Sequence, residues 1–274
     1  MKHSDLASLV IRSLHTVEEL EQVYELESLI WSPEDAVPVN QTITTVKNGG
    51  FLLGAYLTDK LIGFQYSFPG FDGENLYLCS HSLGLHPDYR SLGIGEKLKI
   101  AQKQTAIEKG YNLITWTYDP LETVNGNLNL HKLQAVCSTY IKNAYGDMDD
   151  NLNAGLPTDR LLVQWWIKDL ENQKIKSYDS SISKTIETSS KGKYLVPEQV
   201  DITKEENTLY VPVPGNFQEM KQEHFQLALQ WREATRQVFT HYLRAGWIVT
   251  DLVKDLKQHA YVYRLEKGDR AYGD

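Results

Sequence analysis

Leu83-Gly84-Leu85-His86-Pro87-Asp88-Tyr89-Arg90-Ser91-Leu92-Gly93-Ile94-Gly95-Glu96-Lys97-Leu98 is the stretch that decides the fold. An apolar strand runs into a turn at His86-Pro87-Asp88, and two closely spaced glycines then open a helix. Glycine lets another group approach the backbone closely, and the first N–H groups of a helix have no partner inside it. With the positive end of the macrodipole added, such a helix start suits a phosphate or pyrophosphate. A Walker loop would need G-x-x-x-x-G-K-[ST], which is absent. The dinucleotide fingerprint would need a small residue at position 98, where the chain has leucine.

Outward from this segment, the elements alternate. Val10–Leu14 predicts a strand, and Thr16 with Glu19 three residues on predicts a capping box for a helix carrying Leu20, Val23, Tyr24 and Ile30. Phe51–Leu57 and Leu61–Phe68 predict a hairpin closed at Thr58-Asp59-Lys60, and Leu76–Leu85 a further strand. Ile94, Leu98 and Ala101 repeat at helical spacing within a helix expected from Leu92 to Lys109, stopped by Gly110. Tyr111–Tyr118, a short helix over Val124–Leu133, and strands at Ala135–Ile141 and Leu161–Ile167 complete a β-α-β-β-β-α-β-α-β-β order. The expected class is α/β (α+β), with a mixed central sheet flanked by helices.

The serines at 177, 180, 181, 183, 189 and 190 mix with Lys, Glu and Asp where large apolar residues thin out. Such composition predicts a connection that cannot offset its ordering entropy. The expected organisation is therefore a catalytic domain over 1–170, a polar linker over 171–194, and a smaller extension over 195–274. That extension has a β-α-β-β pattern: Thr208–Val213, a long helix over Phe217–Leu243, then Trp247–Val253 and His259–Leu265. Leu227, Trp231, Ala234, Val238 and Tyr242 stripe its helix as a core face. Packing on the first sheet, covering an acceptor pocket, or forming a homodimer are the roles open to this piece.

Arg90-Ser91-Leu92-Gly93-Ile94-Gly95 resembles the [RQ]-x-x-G-x-[GA] loop of the GNAT superfamily of N-acetyltransferases, and the order of elements from 10 to 167 is similar too. Trp116-Thr117-Tyr118-Asp119-Pro120-Leu121, Leu156-Pro157-Thr158-Asp159-Arg160 and Trp231-Arg232 with Thr235-Arg236 look like a longer bacterial subgroup of predicted acetyltransferases. The resemblance implies acetyl-CoA or another acyl-CoA as co-substrate. It implies that N–H groups of Arg90, Ser91, Leu92, Gly93, Ile94 and Gly95 hold the pyrophosphate while Leu83 and Leu85 pair with the pantetheine arm. The family places a tyrosine acid on the helix after the fifth strand. If Lys132-Leu133-Gln134-Ala135 is the usual end of that helix, this position is Leu130.

Acyl transfer to an amine needs a backbone donor for the developing oxyanion, a base for the amine and an acid for the thiolate. His81, whose ordinary pKa lies near 6.5, is the candidate base; two residues before Leu83, it is expected on the same strand face. A hydrogen-bonded structural histidine is the alternative. Asp119 is a second candidate, or else a turn residue that ends a strand. Tyr140 is the best phenolic acid left. Arg160, Arg232 and Arg236 are candidate substrate contacts, because a guanidinium holds a carboxylate in two parallel bonds; surface or structural ion pairs are their alternative. Cys79 and Cys137 are expected as buried thiols, and the eight histidines show no H-x-x-x-H spacing, so no metal is predicted.

Composition narrows the class. At 41% hydrophobic and 23% charged, the 274 residues can bury a core, which excludes disorder over most of the length. A formal charge of −8 argues against nucleic acid or an anionic membrane as partner. No run of 18 apolar residues and no signal-peptide core occur, so a cytoplasmic location is expected. The expected activity is acyl-CoA-dependent N-acyl transfer to a small amine such as an amino acid, with acetyl-CoA the default donor and succinyl-CoA its competitor. A protein or peptide N-acetyltransferase and a non-catalytic CoA-binding module are the alternatives.

Overall fold

A computed structural model describes residues 8–146, 155–168, 177–255 and 260–268. His259, where the sequence begins its last strand, and residues 171–176 of the expected linker lie outside these. The described residues form two compact units: 8–116 with 166–168, and the remainder. The chain passes from the first unit to the second inside a strand, at Trp116/Thr117, and returns to the first at Trp165/Trp166.

In the first unit, β1 (Leu9–Leu14), β2 (Phe51–Leu57), β3 (Lys60–Phe71), β4 (Leu76–Leu85) and β5 (Leu113–Tyr118, whose last two residues belong to the second unit) lie in that order. The first three pairings are antiparallel and β4–β5 is parallel, so the sheet is mixed, as expected. Thr58 takes a left-handed φ of 57° at the β2–β3 turn. Helix α1 (Val17–Ile30) starts at the capping box, with Thr16 and Glu19 bonding each other's backbone. With α2 (Val39–Lys47) it covers one sheet face, where Leu14, Leu20, Val23, Leu26, Phe64 and Tyr66 interlock. Burying each such side chain stabilises the fold by about 1.5–3 kcal/mol. Nothing in residues 39–47 announces α2, because its threonines are weak helix formers. Thr42 and Thr44 hydroxyls donate back to the carbonyls of Val39 and Asn40 at 3.1 and 2.7 Å.

Helix α3 (Ile94–Glu108) covers the other face. It begins two residues later than expected, because Gly93 is left-handed at φ 77° and serves as N-cap. The buried stripe is Ile94, Leu98, Lys99, Gln102 and Ala106, so two polar residues hold core positions.

In the second unit, β7 (Arg160–Trp166, the last residue in the first unit), β6 (Val136–Ile141), β11 (Trp247–Asp255), β12 (Ala260–Lys267) and β10 (Thr208–Pro214) are antiparallel neighbours in that order. Because β6 pairs with both β7 and β11, residues 136–165 join the C-terminal strands. The expected β-α-β-β pattern is present, but its helix is two: α5 (Phe217–Glu223) and α6 (Phe225–Arg244), separated where His224 leaves helical geometry at φ −141°, ψ 63°. The expected 124–133 helix is a single turn, α4 (Thr123–Gly126), followed by a π-helical segment Asn127–Lys132.

The expected linker over 171–194 is corrected by a hairpin of β8 (Ile186–Lys191) and β9 (Tyr194–Val200). Ile186, Tyr194 and Leu195 are buried and anchor it, while Ser189, Ser190 and Lys191 face water. Polar composition there marks a solvated strand face.

Candidate functional site

Two groups of residues carry chemistry, one in each unit. In the first, strand β4 pairs with β5 at only two positions, Leu78↔Ile114 and Cys79↔Thr115, and beyond them the parallel pairing stops. The other edge stays on β3 through Leu85. His86 N–H donates to Ile62 at 2.9 Å, so antiparallel alternation turns the N–H and C=O of Gly84 toward β3 and those of Leu83 and Leu85 toward the unpaired edge. These two residues therefore present free strand edge to an extended ligand.

The turn that follows is a 3₁₀ segment, Pro87–Tyr89, capped by the His86 ring on Asp88 N–H at 3.3 Å. Ser91 and Gly93 are both left-handed, at φ 62° and 77°. A Cβ at Gly93 would meet nothing within 4 Å, so space stands open at the start of α3. The N–H groups of Ile94 and Gly95 lie in the first turn of α3, where no intrahelical acceptor exists. A Cβ at Gly95 would rest against Leu83 and Leu85 at 3.7 Å, so α3 starts close over β4. Arg90 folds its Nε toward Leu85 O at 3.4 Å. Open space, aligned N–H groups and a free strand edge fit a pyrophosphate bearing an extended arm.

His81 lies on the opposite face from Leu83, which corrects the expected shared face. Register slips between Tyr66↔Ser82 and Ser67↔Ser80, leaving His81 as the extra residue of a β-bulge, and a bulge breaks the period-two alternation. Its ring sits against Tyr66 and Phe68 at 5.4 and 5.7 Å, while Leu83 and Leu85 point toward α3. One side of the imidazole stays open to solvent, yet the crowding rings desolvate it and lower its pKa below the ordinary value. Ser82, on the same side, donates to Glu27 at 3.3 Å, and Glu27 accepts Val37 N–H at 3.0 Å. Burial raises the Glu27 pKa against those two bonds.

Behind β4, on the α3 side, Gln65, Ser67, Ser80, Lys99 and Gln102 form a buried polar chain. Lys99 donates to Ser80 Oγ at 2.9 Å, and Gln102 donates to Ser67 Oγ at 2.8 Å. No sequence pattern announces the burial of Lys99, because a lysine in an amphipathic helix is ordinarily solvated.

The second unit gathers Asp119, Tyr140, Arg160, Arg232 and Arg236 around a residue passed over in the sequence except as part of a motif, Asp159. Fully buried Asp159 accepts Arg236 Nε and Nη2 at 2.7 Å each, Tyr140 OH at 2.6 Å and Asn143 N–H at 2.9 Å. Burial opposes its charge, but the bonds from Arg236, Tyr140 and Asn143 prevail and lower its pKa. Arg232, 1% exposed, pairs with Asp119, whose other oxygen accepts Leu121 N–H at 2.9 Å. Arg160 donates to Asp159 O at 3.0 Å and lies 3.9 Å from Asp119. Arg232 Nε and Nη1 are buried with no hydrogen-bond partner.

This network changes the roles expected of its members. Asp119 is an ion-pair and turn residue. Tyr140 has its proton committed to Asp159, and burial together with that carboxylate raises its pKa well above the phenol range. Arg236 keeps its outer side in an open groove with Lys142, Glu233 and Arg244. Leu130 is buried and apolar. Cys137 is buried and Cys79 partly so, and burial raises both thiols. No group of three or more His, Cys, Asp or Glu that could hold a metal occurs among the described residues, nor does a helix long and apolar enough to cross a membrane.

Residues 17–134, somewhat under half of the chain, match the profile of the Acetyltransferase (GNAT) family. No curated protein matches the chain. Among solved structures, it is similar to the ribosomal-protein-S18-alanine N-acetyltransferase of Escherichia coli, with 15% identity over 61% of this chain and 98% of that one, at a TM-score of 0.48. It is similar to yncA of Salmonella typhimurium, solved with its cofactor acetyl-CoA, with 15% identity over 61% and 99%, at 0.48. An aminoglycoside acetyltransferase from an uncultured soil metagenomic sample, in complex with sisomicin, shares 20% identity over 43% and 83%, at 0.39.

Proposed function

We propose that this chain, whose residues 17–134 match the Acetyltransferase (GNAT) family, moves an acyl group from an acyl-CoA to the amine of a small molecule, by direct attack of that amine. The observation that carries this reading is the open space at Gly93 beside the unpartnered N–H groups of Ile94 and Gly95, next to the free edge at Leu83 and Leu85. When bound, the acyl-CoA supplies an activated thioester. The chain's own part is to anchor, polarise and move protons. N–H groups at the α3 start hold the pyrophosphate, and the Leu83 and Leu85 edge orients the arm. A β4 N–H on that edge polarises the acyl oxygen, a contribution worth about 10²–10³ in rate. His81, with a lowered pKa and an open side, is neutral at pH 7 and takes the amine's proton.

Acetyl-CoA is the default donor by family. A small amine such as an amino acid is the favoured acceptor, and succinyl-CoA is the competing donor, because a guanidinium holds a carboxylate in two parallel bonds. Calorimetric titration with acetyl-CoA, succinyl-CoA and pantetheine tests the donor site. Binding of the CoA thioesters with loss of affinity for pantetheine is expected; equal binding of pantetheine would remove the pyrophosphate assignment.

A further inference from the structure

Lys99 is 4% exposed, on the core stripe of α3, with no carboxylate bonded to it among the described residues. Its amine donates to Ser80 Oγ at 2.9 Å and lies 3.5 Å from the centre of the Trp116 ring. Those contacts fix its place in the sheet. The last β4–β5 pair is Cys79↔Thr115; Ser80 and Trp116 are the next residues on the two strands. Lys99 therefore sits under the point where β4 and β5 part, bonded to one strand and stacked on the other.

Burying a lysine without a counter-ion is costly, and a leucine or methionine would hold the helix there more firmly. The Trp116 face offsets part of that cost. The amine contacts Ser80 of β4 and Trp116 of β5; Gln65 and Ser67 of β3 and Gln102 of α3 bond within the same polar chain, and Cys79 adjoins Ser80 on β4. Glu96 and Lys103 stand a turn to either side on α3. Cys79 is the titratable group among them that acts on it.

We propose that Lys99 is a positioning residue for the leaving group: its ammonium holds negative charge on the departing CoA sulfur and supplies that sulfur with a proton through Ser80. The proposal rests on the acyl-CoA reading above. As the amine nitrogen bonds the acyl carbon, the C–S bond breaks and sulfur keeps the electron pair. The Ser80 hydroxyl proton passes to sulfur while a Lys99 proton passes to Ser80 Oγ. The nitrogen loses its second proton to water as the C–S bond breaks; Lys99, left neutral, takes up a proton from water, and the proton first given up by the acceptor ammonium leaves through His81. Burial lowers the Lys99 pKa to about 7, so at neutral pH the amine both holds and releases a proton.

The test follows the ultraviolet absorbance of the thiolate in enzyme-bound CoA against pH, so it needs no turnover. At pH 7 wild type is expected to hold about tenfold more thiolate than Lys99→Met, because a nearby cation lowers a thiol pKa by a unit or more. Lys99→Arg should keep the excess, and Ser80→Ala should lose part of it. Melting of Lys99→Met at or above the wild-type temperature would show that it folds. If Lys99→Met failed to fold, an unchanged titration in Ser80→Ala would overturn the proposal. Equal titration of wild type and Lys99→Met, or a wild-type thiol titrating like free CoA, overturns it and leaves the acyl-CoA reading standing. No CoA binding by wild type would remove both.

Discussion

Asp159 holds Arg236 through two parallel bonds, Nε to Oδ2 and Nη2 to Oδ1, each 2.7 Å long. The carboxylate is fully buried, and Tyr140 and Asn143 N–H fill its remaining lone pairs. It thereby ties α6 to β6 and to the start of β7.

Breaking this hub should destabilise strongly. Asp159→Asn keeps the shape but leaves Arg236 without its counter-ion, and about 2–4 kcal/mol of stability should be lost in chemical denaturation. The sign of the pH effect follows from the lowered pKa. A folded-state pKa below the unfolded one adds stability above the unfolded pKa, and that stability disappears as pH falls through the folded value. Wild type should therefore lose stability between about pH 4 and the lower folded-state pKa, and Asp159→Asn should show less of that loss.

Glu27 makes the opposite prediction. Burial raises its pKa, so its contribution is present below the unfolded pKa and is lost as pH rises through the folded one. Glu27→Gln can still accept Val37 N–H and donate to Ser82. Its melting temperature should match wild type near pH 4 and exceed it at pH 8. A large loss at pH 8 would show that the charge itself is needed.

Gly93→Ala separates fold from donor binding. The new methyl meets no neighbour, but φ 77° costs a non-glycine residue about 1 kcal/mol. A small stability loss with at least a tenfold loss of CoA affinity is expected. Unchanged affinity by calorimetry would put the pyrophosphate elsewhere.

His81→Ala tests the base. With its imidazole pKa lowered by the Tyr66 and Phe68 rings, wild-type kcat/KM should fall on the acid side only below pH 6.5. The variant should lose about 10²-fold in rate and lose that limb. A preserved limb would assign the proton transfer to another group.

The parts of the fold set by local chemistry were legible. The Thr16–Glu19 capping box, the strand from Leu76 to Leu85 and the glycine start of α3 each follow from a few adjacent residues. What escaped depends on partners distant in sequence. One extra residue at His81 reverses a strand face, and no pattern in Ser80-His81-Ser82 announces it. The β8–β9 hairpin hid behind Ser189, Ser190 and Lys191, since Ile186 and Leu195 find their burial only in tertiary contact. Lys99 and Asp159 were passed over because an isolated charge belongs at the surface; only the folded chain supplies Ser80 and Trp116 for one, Arg236 and Tyr140 for the other.

Acyl transfer itself is tested most directly by thiol release with acetyl-CoA and succinyl-CoA over a panel of free amino acids, their decarboxylated amines and lysine peptides. Release with free amino acids, and its loss when the carboxylate is removed, is the predicted result. Tight CoA binding with no thiol released on any amine would contradict it.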